Sequence, residues 1–244
     1  TLSGLSQQFI RLYWSQIAAH YGFSKLQQPI FLSMETSQYF LHQTCQALLK
    51  KGYFLEVHID SARLLSQILD TMNKAALVGY PLEETAQRLK EAWSGESIRE
   101  KHYEQAQECA LTFRNYCLKN NLLDFSLQVE IFCDCMKREE DLKKAFFSPY
   151  YYLIADNLEE DVPVLHDIIF SLSETIPSML LIKDSNAGFR SFLGADPISA
   201  DRLKEICQHQ FTFTQQLNTP EPMRAFNIAL TNCILREKTA NFSP

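Results

Sequence analysis

Leu180-Leu-Ile-Lys-Asp-Ser-Asn-Ala-Gly-Phe-Arg-Ser-Phe-Leu-Gly-Ala-Asp-Pro197 is the stretch that decides how this 244-residue chain folds. An apolar run delivers Asp184 into a polar turn, and Phe192, Gly194, Ala195, Asp196 and Pro197 follow. About two dozen residues upstream stands a matching unit, Tyr151-Tyr-Leu-Ile-Ala-Asp-Asn-Leu-Glu-Glu-Asp-Val-Pro163. There too an apolar run ends in acids, and Pro163 opens a helix. Strand, acidic turn, helix, strand is the pattern of an α/β nucleotide-binding core, whose strands fix carboxylates at their carboxyl ends.

Working outward, Tyr150 to Ala155 and Ser178 to Ile182 read as buried strands, and Val164 to Leu172 as the helix between them. A third strand candidate, Phe211 to Leu217, precedes a helix near Met223 to Leu235. Upstream the period is helical. Leu5, Phe9, Tyr13 and Ile17 recur every four residues in a helix that Gly22 stops. The apolar run Ile30-Phe31-Leu32 leads into a helix from Thr36 to Lys50, and another spans Ser61 to Leu77. Pro81 suits the first position of a third, running to Trp93. Ser97 and Glu100 have capping-box spacing ahead of a long helix through Lys119. Asn120-Asn121 breaks it, and Phe125 to Met136 is helical again.

Composition is that of an ordinary globular protein, 46% hydrophobic and 21% charged, and seven glycines and nine prolines argue against an all-β fold. The net charge of −6 excludes a broadly basic nucleic-acid binder but not a local basic stripe. Seven scattered cysteines with no secretory segment predict reduced thiols in a cytoplasmic protein. Cys133-x-Cys135 lacks a second His or Cys pair at zinc spacing. No apolar stretch approaches the ~20 residues that span a bilayer, so no membrane is expected as a partner. The start at Thr1 is read as that of an excised piece or processed product.

The two acidic units resemble the Walker B and following motifs of UvrD/Rep/PcrA-type superfamily 1 DNA helicases. That family reads Asp-Glu-x-Gln-Asp, two residues and a proline; Asp156 and Pro163 keep the outer places here. Asn157 replaces the catalytic glutamate, Glu159 the glutamine and Glu160 the second aspartate. The second motif reads Gly-Asp-x-x-Gln-Ser-Ile-Tyr-x-Phe-Arg-Gly-Ala, of which Asp184, Phe192, Gly194 and Ala195 are kept. Ala187 replaces the glutamine that senses the γ-phosphate, and Leu193 the arginine. Thr1-Leu2-Ser3 resembles the single-strand contact Thr-Phe-His-Ser. Met72-Asn73-Lys74, then Pro81-Leu82-Glu83, resembles the helical insertion, and Tyr116 with Leu123-Asp124-Phe125 the approach to Walker B.

The resemblance implies a helix-rich α/β fold: part of a P-loop NTPase (RecA-like) parallel-sheet core carrying a large all-helical insertion. Residues 1–25 and 126–209 would belong to the first motor domain, 26–125 to the insertion and 210–244 to the start of the second motor domain. Asp156 would be the metal-side residue and Asp184 its nucleotide-side neighbour. Thr1, Ser3, Phe192, Gly194, Ala195 and Asp196 would contact DNA, single-stranded or forked. Mg²⁺ and ATP are implied for the full-length protein, with neither tightly bound to these residues, which contain no G-x-x-x-x-G-K-[ST] loop. An amide cannot act as a base at neutral pH, so the implied function is a degenerate helicase-like protein that keeps nucleotide or DNA binding, with ATP hydrolysis impaired or absent.

Two rivals stand beside it: a non-catalytic scaffold with a protein partner, and an active helicase whose base is Glu159 or Glu160 and whose phosphate loop lies upstream. The plain reading of Asp156 to Asp161 is a solvated acidic turn at a helix N-terminus. Tyr150, Tyr151 and Tyr152 read as core packing with one exposed ring. Lys137-Arg138 to Lys143-Lys144 reads as a solvated mixed-charge face, and Arg99, Lys101, Arg114 and Lys119 as a diluted basic side of the long helix.

Overall fold

A computed structural model describes residues 1–23, 27–185, 187–213 and 219–234. The chain divides into two compact units, Thr1–Ile206 and Cys207–Pro244.

In the first unit, α1 (Leu2–Ile17) starts at Thr1, whose hydroxyl accepts the Gly4 amide at 3.2 Å, and buries Phe9, Ile10, Trp14 and Ile17 on one stripe. It ends at Ile17, short of Gly22, which turns the chain at φ 75°. β1 (Ile30–Phe31) leads into α2 (Met34–Lys50), capped by Ser33, and then α3 (Ser61–Val78), closed by Gly79 in the left-handed region. Pro81 opens no α-helix; it precedes a 3-10 turn, Leu82–Glu84, before α4 (Thr85–Ala92). α5 (Ile98–Asn120) begins as expected, but Ser97 is itself helical and its hydroxyl makes no cap bond, so the capping box does not form.

Asn121 turns left-handed at φ 59° into β2 (Leu122–Leu123), which pairs in parallel with β1, a pairing that two-residue strands do not announce in sequence. α6 (Phe125–Arg138) follows, capped by Asp124. It runs through the core, burying Leu127, Val129, Ile131, Phe132, Cys135 and Met136 against Phe9, Trp14 and Phe113. α7 (Glu140–Phe147) begins within the run read as a mixed-charge helix face and is a separate helix. Then come β3 (Tyr152–Ala155), α8 (Pro163–Leu172), β4 (Ser178–Leu181) and α9 (Pro197–Asp201). The result is a helix-rich α/β unit with two small parallel sheets, β1–β2 and β3–β4.

Several expectations are corrected. β3 and β4 are not buried strands: each alternates, with Tyr152 70%, Ile154 69% and Leu180 54% exposed, while Leu153, Ala155, Met179 and Leu181 face inward. One face of the pair packs on the unit and the other is bare. All three of Tyr150, Tyr151 and Tyr152 are exposed, not one. Arg114 belongs to no basic surface, being buried against Glu130, and Lys143 is buried beside Glu140.

In the second unit the described residues form one α-helix, α10 (Glu221–Ile234), near its expected place, with no buried residue. Residues 211–213 form no strand, and the rest of that candidate, 214–217, lies outside the described residues. No described helix is long and apolar enough to cross a membrane.

Candidate functional site

The parallel register pairs Ala155 with Leu181, and two further bonds extend it: Ile182 N–H to the Ala155 carbonyl at 2.8 Å and Leu158 N–H to the Ile182 carbonyl at 3.1 Å. Both acidic loops therefore leave the sheet at the same carboxyl end, where α/β folds place their ligands. Asp156 and Asp184 are brought to one edge by this pairing. Beneath them Leu158, Ile169, Ala200 and Leu203 make a small core of their own.

The polar residues at this edge bond chiefly to one another. Asp156 is exposed, and its Oδ1 accepts the Asn157 amide at 2.9 Å. Asn157 stands at φ 56°, ψ 43°, a left-handed conformation that asparagine adopts more readily than glutamate. Its place in the sequence thus answers a backbone demand. Glu159 is 2% exposed, and its Oε2 accepts the Asp184 amide at 3.0 Å, tying one acidic loop to the other. Glu160 accepts the Phe189 amide at 3.2 Å and pairs with Arg190 Nε at 3.0 Å. Lys183, where the family pattern has glycine, donates to the Pro197 carbonyl at 3.0 Å and to Asp201 Oδ1 at 2.7 Å.

Gly188 adopts φ 104°, and a Cβ there would lie 2.5 Å from Pro197 Cγ, so the close approach of these loops admits no side chain. Gly194 ends the 3-10 turn Phe189–Leu193 at φ 98°. Ala195 is buried, and Asp196 caps α9 by accepting the Ile198 and Ser199 amides. Phe192 projects into solvent, 70% exposed. Ala187, in the turn before Gly188, is half-buried and offers no polar atom beyond the backbone. At the start of α1, Thr1 is spent as a cap, and Ser3 accepts the Gln128 side-chain amide through both its carbonyl, at 3.0 Å, and its hydroxyl, at 3.3 Å.

His166, on α8, is one of six dispersed histidines, each of which the sequence reads as a surface or satisfied core residue. It is buried; its Nε2–H donates to the Leu158 carbonyl at 2.9 Å, and Nδ1 meets the Ser199 hydroxyl at 2.5 Å, so it joins the first acidic loop to α9. Burial pushes the Asp161 carboxyl above its ordinary range, opposed by His166 and the Thr1 amino group. A raised folded pKa means that the protonated acid favours folding. This contribution is complete below the unfolded value of about 4 and is lost as pH rises through the folded value. Asp161→Asn is therefore expected to raise Tm at pH 7 and to leave it unchanged at about pH 3. Paired thermal melts across that range check this, and a difference independent of pH contradicts it.

Among the described residues no group of three His, Cys, Asp or Glu side chains could hold a metal by itself. Burial raises the Cys133 thiol to about 12 and the Cys135 thiol to about 11, so neither is a thiolate ready to bind zinc.

Fold and site together define a helix-rich α/β protein with clamped acidic loops at the carboxyl end of a parallel strand pair. No known family model matches the chain. It is similar to a probable DNA helicase of Mycoplasma pneumoniae, 25% identical over 125 residues, which are 50% of this chain and 23% of that protein. The likeness thus spans less than a quarter of the relative's length.

Proposed function

We propose that this chain is part of a degenerate helicase-like protein of the UvrD type, which binds nucleic acid and has lost most or all of its ATP hydrolysis. The observation that carries this is the clamping of the acidic loops. Where the family pattern puts a glutamate, a glutamine and an aspartate, Asn157, Glu159 and Glu160 serve backbone conformation, a buried amide and a loop amide, and Lys183, in place of a glycine, reaches α9. The metal-side and nucleotide-side positions Asp156 and Asp184 and the positions Phe192, Gly194 and Ala195 are kept. The partial likeness to a probable DNA helicase supports the same reading.

On this reading residues 1–25 and 126–209 form part of a RecA-like motor domain, 26–125 its helical insertion and 210–244 the start of a second motor domain. Asp156 would hold Mg²⁺ through water and Asp184 would flank the nucleotide; the ion would neutralise charge on the nucleotide's phosphates. Single-stranded DNA would meet Thr1, Ser3 and the loop from Phe192 to Asp196, with the exposed Phe192 ring as the surface on which a base stacks. The bare apolar face of β3 and β4 fits a parallel sheet whose second face is covered by further chain, because such sheets are covered on both faces. The same face favours a second reading, a scaffold that covers it with a protein partner and binds no DNA.

The test is binding of a fluorescent single-stranded oligonucleotide by the full-length gene product. Saturable binding that weakens steeply with salt is expected, and Phe192→Ala should weaken it about tenfold. Absence of binding at low salt sinks the DNA reading and leaves the scaffold.

A further inference from the structure

A cleft of about 510 Å³ opens between α3, α4 and α5, in a part of the first unit that the acidic loops do not reach. That volume is in the range of small-molecule sites. Its body is apolar, built from Phe54, Leu64, Ile68, Met72, Leu82 and Leu89. Arg99 supplies a cationic group and His102 an imidazole, and among the described residues no aspartate or glutamate lines it. In a chain of net charge −6 that is a local reversal of sign.

Two further features belong to this cleft. Thr85, on its wall, is 4% exposed and its hydroxyl finds no partner among the described residues, an arrangement that leaves a hydrogen bond to be made. Phe54, buried, holds φ 60°, an unfavourable backbone for an aromatic residue, with its amide fixed by Gln105 Oε1 at 3.1 Å. Arg99 is exposed at the cleft's rim; its guanidinium lies over the Trp93 ring at 4.3 Å and makes none of the ion pairs among the described residues.

We propose that this cleft binds an amphipathic carboxylate, with its apolar body between α3 and α5 and its anionic end on Arg99, assisted by His102. An apolar cavity with a few convergent polar groups is the usual form of such a site, and the fork of an arginine suits a carboxylate.

The probe is 11-(dansylamino)undecanoate, titrated into the chain by fluorescence beside its methyl ester. A saturable blue shift with one-to-one stoichiometry is expected for the acid. Arg99→Gln should weaken the acid about tenfold and leave the ester unchanged, as loss of a charge-assisted contact does. Gln67→Trp at the exposed rim and Ala106→Trp on the wall should each abolish uptake, with far-UV circular dichroism verifying that each variant stays folded. The proposal is overturned by no saturable uptake, by equal affinity for acid and ester, or by uptake that survives in a folded tryptophan variant. The last result would place the probe elsewhere, for example on the bare face of β3 and β4.

Discussion

Arg114→Met is expected to destabilise the first unit by about 3 kcal/mol, a fall in Tm of about 10 °C for a chain of this size. Arg114 is buried on α5, with Nη1 2.6 Å from Glu130 Oε2 and Nη2 donating to Ser126 Oγ at 3.0 Å. Burial works against its charge, and the fields of Glu130 and Asp124 more than restore it. Asp124 is 1% exposed, caps α6 through the Ser126 amide at 3.0 Å, and leaves its Oδ1 without a hydrogen bond among the described residues. Methionine fills much of the same volume, so the loss is mainly electrostatic: Glu130 would lose its ion-pair partner and the buried Asp124 side chain the field of the guanidinium. A second substitution separates this from simple packing. Asp124→Asn keeps a capping oxygen and removes the charge, so the double variant should recover part of the loss. Denaturant melts of the four proteins give the coupling directly. A single-variant shift within experimental error, or losses that simply add, would show that the pair does not hold the α5–α6 junction.

The same pair marks where sequence reasoning runs out. α1, α2, α3, α5, α6 and α8 were legible because apolar residues recur at helical spacing and turn residues punctuate them. Arg114 was not, because spacing places a residue on a helix face without saying whether a partner covers it. β3 and β4 were found but judged buried. An apolar run such as Tyr151-Tyr-Leu-Ile is the same whether one face or both are covered, and coverage depends on chain far away. In the candidate site the departures from the family pattern were visible as missing chemistry, at Asn157 and Ala187. Their structural replacements were not. The left-handed turn at Asn157, the buried bond from Glu159 to Asp184 and the reach of Lys183 to α9 all depend on the two loops meeting, which only the parallel pairing of β3 with β4 fixes.

Those replacements set the second large effect. With single-stranded DNA and Mg-ATP, the full-length gene product is expected to release phosphate about a thousandfold more slowly than a helicase bearing the intact glutamate, the usual scale for loss of a general base. Neither nearby carboxylate is placed to substitute. Glu159 is buried with an oxygen on the Asp184 amide, and Glu160 is engaged with Phe189 and Arg190. Either would have to abandon a loop contact before it could orient a water. Glu159→Gln and Glu160→Gln should therefore leave the residual rate unchanged. Their effect should fall on stability instead, because a neutral amide oxygen accepts these hydrogen bonds more weakly than a carboxylate. An active enzyme with a displaced base predicts the reverse: DNA-stimulated turnover that falls sharply in one of these variants while its melting temperature stays near that of the parent. Measuring phosphate release and thermal stability on the same preparations decides between them, since a clamp shows in the melt and a base shows in the rate.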